Sequence, residues 1–476
     1  MSTVRRIAKN TGLLFIASII TYILGFFTTI YTANYLGVEG FGIISTALAL
    51  TGIFSVFTDL GISTLTVREV ARDKKIVNKY VENTAIIKLI LAIITFGLIA
   101  IFAFISGYSE VVKYVIYIIT ISVIFNSYSG ILNSIFQAFE EMEHQSIGII
   151  INSVVMLVGT LIAIYFHANV IVFASIYLIS TGITFIYLLI IYAWKFSFPK
   201  VEIDLNFWKP VIKEALPLSI TSIFAILIFR VDTVMLSLMK GVVAVGWYNA
   251  AYKLMEALIF IPSVYTTSIF PFLSSMYISS KKPIITAYEK SFKYLIILSL
   301  PIAVGTTLLA DQIILLIYKS GFTESILALQ ILIWVLPFTF LNYILGSLLT
   351  SINKQYTVLK ITIVVLIFNV GLNLILIPQY SYLGAAFATV ISDAIAVILS
   401  FYVVSQLISK IKVHKVLLKP AIASAIMGLF LFFVKLNLLL EILIATTIYF
   451  VVLIGIKTFT DKDYDLFKQI ISRNKN

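Results

Sequence analysis

The residues in this chain best suited to chemistry are charged groups set where charge is least expected. The stretch "IFRVDTVML", residues 228 to 236, puts Arg230 and Asp232 two positions apart inside a long apolar run. Five more ionisable residues lie in similar runs: Lys88, Lys253, Asp59, Glu256 and Asp393. Ionisable side chains inside a bilayer face water, the protein interior or one another, and mark paths for ions or charged ligands. An arginine grips a phosphate through parallel N–H donors, and a lysine acts on it as a point charge. A carboxylate can carry a proton or a sodium ion, or hold the cation while the ligand is away. Arg230, Lys253 and Lys88 are therefore the candidate substrate ligands, and Glu256, Asp232, Asp393 and Asp59 the candidates for ion coupling or gating. Reaction chemistry is not expected, because His144, His167 and His414 are far apart and no nucleophile or metal-ligand spacing is visible. With no cysteine in the chain, disulfides and thiolate metal sites are excluded. The reading expects no cofactor and no metal, with proton or sodium coupling left open.

The elements that must position these groups are membrane helices. Of 476 residues, 61% are hydrophobic and 12% charged, about half the charge of an ordinary globular chain. Fourteen apolar stretches recur, from 11 to 34 and 41 to 67 through 383 to 408, 416 to 434 and 438 to 457. Most approach or exceed the roughly 20 residues a helix needs to cross a hydrocarbon core. Continuous runs argue for helices over barrel strands. With a cytosolic N-terminus, 27 of the 34 Lys and Arg fall at cytosolic ends or loops. The net charge of +12 thus follows the positive-inside rule and is not a nucleic-acid footprint.

The chain also repeats itself. "GVEGFG" from Gly37 and "GVVAVG" from Gly241 share a spacing, as do "FNSYSG" with "LNYILG" and "LISTGI" with "VISDAI", at offsets drifting only from 204 to 216. The reading is an all-α polytopic membrane protein of about fourteen helices, with two parallel six-helix repeats and two further helices. Residues 1–194 form the first bundle, 195–214 a cytosolic linker, 215–409 the second bundle, and 410–476 two additional helices with a cytosolic tail. Parallel repeats of this kind hold ligands near the midplane between the halves.

Treating each hairpin turn as a mirror levels Asp59 with Lys88, Arg230 with Glu256, and Asp232 with Lys253. The first pair reads as a clasp on its hairpin. The other two read equally as structural ion pairs or as the lining of a wet cavity. Asp393 has no cation at its level on its partner helix, so it pairs with Arg230 or Lys253 or serves as a proton site. Uncharged stripes, Ser18 to Thr32 on the first helix and Asn126, Asn133 and Gln137 on the fourth, read as packing, with ligand contact the alternative. Pro262, Pro271, Pro301 and Pro337 permit bends.

Asn10 to Arg72, from "NTGLLFIASIITYILGFFTTIYTANYLGVEGFGIISTALAL" to "FTDLGISTLTVREVAR", resembles the opening of polysaccharide (O-antigen type) flippases of the multidrug/oligosaccharidyl-lipid/polysaccharide exporter superfamily. "ALPLSI" at Ala215, "RVDTVML" at Arg230 and "VGWYNAAYKL" at Val245 look like that family's second block. The resemblance implies a transporter that turns an isoprenoid-linked oligosaccharide from the cytosolic to the outer leaflet by alternating access. It further implies a plasma-membrane monomer with both termini cytosolic, membrane lipids around it, glycan-assembly enzymes as partners and no nucleic acid. An uncharged first helix from Thr11 to Val38 departs from members that flip the peptidoglycan precursor, which carry arginine there. Two alternatives are an ion-coupled multidrug extruder of the same superfamily and a membrane enzyme of glycan assembly.

Overall fold

The computed structural model describes residues 3–196, 203–279 and 281–459. Among them all regular structure is helical: α1 Thr3–Ser55, α2 Ile62–Arg72, α3 Val77–Ile105, α4 Glu110–Ala138, α5 Met142–Tyr165, α6 Val170–Lys195, α7 Leu205–Lys240, α8 Val242–Leu258, α9 Phe260–Ser279, α10 Lys281–Tyr318, α11 Ser325–Leu332, α12 Val335–Ser351, α13 Gln355–Leu407, α14 Val413–Phe433 and α15 Leu438–Gly455. Among the described residues, twelve segments are long and apolar enough to cross a membrane. Two of these, of 50 and 53 residues, are about twice the length one crossing needs. Each is interrupted by a residue that leaves helical geometry, Gly37 (φ 68°) in α1 and Ser381 (φ 51°) in α13. Counting both halves of each double segment restores fourteen crossings.

The breaks elsewhere follow the chemistry of proline. Pro262 and Pro337 each occupy the third position of a helix, just after interruptions at Ile259 and at Ile333–Trp334. There the missing N–H costs no helical bond. Pro271 and Pro301 lie inside α9 and α10.

The chain divides into two compact units, Met1–Asn249 and Ala250–Asn476. In the first, α4 packs on α6, and α1 on α5, α4 and α7. In the second, α12 packs on α13 and α10, and α14 on α10 and α15. The division by compactness falls later than the repeat boundary read from sequence, because α7 is docked on α1 and α2.

Three glycines permit this docking. A Cβ on Gly61 would lie 2.4 Å from the Ala215 carbonyl oxygen. One on Gly42 would lie 1.9 Å from that of Val242, and one on Gly246 2.2 Å from that of Val38. The last two contacts are reciprocal: the sixth residue of "GVEGFG" meets the second of "GVVAVG", and the sixth of "GVVAVG" meets the second of "GVEGFG". Pairing of i with j and j with i is the relation a two-fold axis produces.

Half of the linker expected at 195–214 is helix, since α7 begins at Leu205 with the Asp204 side chain accepting from Asn206 and Phe207 N–H groups. Its residues 197–202 lie outside the described residues. Asp204 is ion-paired to Lys79 at 2.7 Å. Asn83 Oδ1 accepts from the Asp204 amide at 2.8 Å and from Trp208 Nε1 at 3.0 Å. Arg68 of α2 bonds Glu214 of α7. The Lys79 bridge holds the Asp204 carboxyl below the usual carboxylate range.

Candidate functional site: charged residues among the helices

The second apolar stretch, read from sequence as one helix to residue 67, breaks at its charged residue. Helical geometry ends at Ser55, a 3-10 turn covers Val56–Thr58, and Leu60 (φ 46°) and Gly61 (φ 80°) redirect the chain into α2. Asp59 sits in this break, and Lys88 of α3, 1% exposed, closes it. Lys88 Nζ lies 2.6 Å from Asp59 Oδ1, 3.1 Å from Ser63 Oγ and 2.7 Å from the Ser127 carbonyl oxygen. Three acceptors match the three donors of an ammonium. Ser63 Oγ donates to Asp59 Oδ1 at 2.5 Å. Ser127 Oγ donates to the Thr58 carbonyl at 2.9 Å, taking up an acceptor at the end of the 3-10 turn. The clasp read from the hairpin mirror is present, and it holds a broken helix as well as two neighbours. In this state every Lys88 donor is used.

Arg230 stands in the opposite condition. It is partly exposed on α7, with its Cγ and Nε 3.7 Å from where a Cβ would stand on Gly52 of α1. The described residues of its unit offer its guanidinium no hydrogen bond and no ion pair. Asp232, two residues on and so about 200° around the helix, is buried at 4% exposure. Its Oδ2 accepts from the Tyr248 hydroxyl at 3.3 Å. Beside it, Asn249 Nδ2 donates to Thr233 Oγ1 at 3.3 Å, and the Tyr108 and Ser237 hydroxyls bond at 2.6 Å. Tyr248, Asn249 and Tyr108 carried no signal in the sequence beyond being polar residues in apolar runs.

In the second unit, Lys253 is paired with Glu256 at 2.6 Å, and both side chains keep about a third of their surface exposed, 31% and 33%. The hairpin mirror had set Lys253 opposite Asp232 and Glu256 opposite Arg230. Residues three apart on one helix share a face, which is what brings Lys253 and Glu256 together. Asp393 accepts from the Thr339 hydroxyl, and Asn342 Nδ2 donates to the Asp393 carbonyl oxygen at 3.3 Å. One acid escaped the sequence reading. Glu441, fully buried in the first turn of α15, accepts from Gln312 Nε2 at 2.9 Å and from the Leu436 amide at 2.6 Å. An acid standing alone in "LLLEILIATT" was the signal for it. Among the described residues, no cluster of three or more His, Cys, Asp or Glu is placed to hold a metal.

Two family models and several known proteins match this chain. The family model described as polysaccharide biosynthesis protein matches residues 7–277, and the MatE model matches 217–375. The capsular polysaccharide biosynthesis protein CapF of Staphylococcus aureus is 24% identical over 83% of this chain and 98% of its own length. The probable low-salt glycan biosynthesis flippase Agl15 of Haloferax volcanii is 23% identical over 85% of this chain and 84% of its own. The lipid II flippase MurJ in an inward closed conformation shares the fold at TM-score 0.77 and 19% identity, covering 94% of this chain and 99% of that one. An inward-facing MATE family transporter of the MOP superfamily follows at TM-score 0.67 and 17% identity, covering 82% and 94%.

Proposed function

From the premise that the chain belongs to the polysaccharide biosynthesis protein family, as a flippase-type transporter of the multidrug/oligosaccharidyl-lipid/polysaccharide exporter superfamily, we propose that it turns an isoprenoid-linked oligosaccharide from the cytosolic to the outer leaflet by alternating access. The observation that carries this reading is the unlike condition of its cations. A desolvated cation with all donors bonded is a structural element, whereas a partly wet guanidinium without a partner in its own unit is ready for an anion. Arg230 binds the phosphate-bearing head group. Lys253, half-open to water, adds a second positive contact as Glu256 lets it go. Asp232 and Asp393 remain as gating or ion-coupling groups, and Asp59 with Lys88 as the clasp that keeps the α1–α2 break in shape. The reciprocal contact at Gly42 and Gly246 is the closed side, which parts for release. The chain acts as a monomer in the plasma membrane with both termini cytosolic, supplying lipid-linked glycan to assembly enzymes outside.

The test is transport in proteoliposomes of a fluorescent lipid-linked oligosaccharide by Arg230→Gln and Arg230→Lys. Each is expected to lower the transport rate at least tenfold at unchanged thermal stability, with lysine failing to rescue because it lacks the two-pronged fork. Full transport by Arg230→Gln would overturn the assignment. The MatE match over 217–375 favours a second reading, ion-coupled extrusion of drugs. A clean deletion with normal surface glycan and altered resistance to cationic drugs would select it.

A further inference from the structure

The asparagine stripe on the fourth helix lines a partly open cavity whose lining residues all belong to the first unit. It measures about 210 Å³ and lies among α1, α4, α5 and α6. Asn126 and Asn133 reach it from α4, Gln145 and Asn152 from α5, and Thr181 and Thr184 from α6. Each pair is three or seven residues apart, so each helix turns one face to the same space. No lining residue is charged.

The hydrogen-bond account of this cavity is incomplete in a particular way. The Thr181 and Thr184 hydroxyls donate to carbonyls of their own helix at 2.9 and 2.8 Å, which leaves their lone pairs as acceptors. Gln145 accepts from Gln137 at 3.0 Å through Oε1 and keeps its amide N–H donors. Asn126, Asn133 and Asn152 make no side-chain hydrogen bond among the described residues, and Asn133 Oδ1 is inaccessible to solvent. Three amides and a half-used glutamine therefore present donors and acceptors in near-equal number. A cation site would need carboxylates and an anion site would need lysine or arginine. Alternating donors and acceptors without charge match a group that itself carries both on each oxygen, namely a hydroxyl-rich ring. The volume equals about seven waters' share of liquid and falls short of the roughly 300 Å³ at which drug-sized sites begin. It is on the scale of one sugar ring, with Ile149 and Leu188 as the apolar wall for its C–H face. By helical rise, Asn133 and Asn126 stand about 8 and 18 Å from the α4–α5 turn, which the proposed topology puts on the cytosolic side where cargo is loaded.

We infer that this cavity is a subsite for one neutral sugar unit of the cargo, separate from the charged site at Arg230. The inference rests on the flippase reading and adds to it a source of selection by sugar. The experiment uses the full chain in nanodiscs and two probes, a polyprenyl diphosphate and the same lipid carrying one N-acetylhexosamine. The protein should bind the sugar-bearing probe at least tenfold more tightly, a difference of about 1.4 kcal/mol. Asn133→Leu should reduce the ratio to about one and leave affinity for the bare lipid unchanged. Thr184→Val, which keeps the side-chain shape and serves if Asn133→Leu misfolds, should narrow the ratio about threefold. Equal affinity of the unsubstituted protein for both probes, as a cavity holding only water would give, overturns the subsite and leaves the flippase reading standing. So does an equal loss for both probes in the variants. Failure to bind either probe overturns both.

Discussion

The clasp at Asp59 and Lys88 makes a prediction in which the two partners are not equivalent. Removing one member of a buried pair costs roughly 3–5 kcal/mol, because the other is left charged and desolvated. Here the two differ in what they can fall back on. Asp59 keeps 31% of its side-chain surface, and Ser63 still donates to it at 2.5 Å from Oγ, so after Lys88→Met the carboxylate has water and a donor. Lys88 keeps 1%, so after Asp59→Asn the ammonium is sealed in among neutral acceptors with no counter-charge. Asp59→Asn should thus lie in the upper part of the range, about 4–5 kcal/mol, and Lys88→Met at or below its lower edge, about 2–3 kcal/mol. The double variant should cost less than the sum by 1 kcal/mol or more, since the two share one interaction. Thermal unfolding of the purified protein, followed by loss of the monodisperse peak, ranks the variants without assuming two-state behaviour. A Lys88→Met variant less stable than Asp59→Asn, or strictly additive losses, would refute the argument from desolvation.

Gly42→Ala and Gly246→Ala each bring a methyl within about 2 Å of a backbone carbonyl, at 1.9 and 2.2 Å. No side-chain shift can relieve this, so the tips must part, and a cysteine at Val243 should react faster with an impermeant thiol reagent; unchanged labelling would speak against a closed contact. The Lys79–Asp204 bridge should weaken in acid. With the folded pKa of Asp204 below its ordinary 3.8, its contribution is complete above that value and lost as pH falls through the folded one. The gap in thermal stability between the unsubstituted protein and Asp204→Asn should therefore persist from pH 7 to 5 and close below pH 3.8, and a gap that survives there would show that the bridge does not act through ionisation.

The sequence carried most of the fold because the membrane enforces it. Apolar runs of crossing length and one-sided placement of lysine and arginine leave little freedom in the number of helices, and Pro262 and Pro337 signalled the breaks before them. What it could not carry was the turn at Asp59–Gly61. "VFTDLGIST" reads as a continuing helix unless one knows that Ala215 packs against Gly61 and that Lys88 and Ser127 arrive to take the freed polar groups. That information is tertiary. The same limit explains the charged pairs. Depth along a hairpin placed Asp59 beside Lys88 correctly, 2.6 Å apart in the structure. Depth compared between helices gave no sign that Lys253 has a partner, Glu256, three residues on along its own helix.

A charge in a bilayer is retained only where it is neutralised or used, and the structure places five of the seven candidates along that line. Lys88 and Asp232 are sealed in, one by three acceptors and the other with a tyrosine hydroxyl. Lys253 and Glu256 are paired yet wet, so exchanging the partner costs little desolvation on either side. Arg230 is wet and unengaged within its unit. Under the proposed function, that ordering sets the sequence in which groups would respond to an anionic head group: Arg230 first, with no bond to break within its own unit, then Lys253 with the loss of one partly exposed pair, and Lys88 only if the α1–α2 break itself unfolds. On that proposal the protein gains from this order when it lets go of its cargo, because the contacts proposed with the phosphate are those whose resting partners are cheapest to restore.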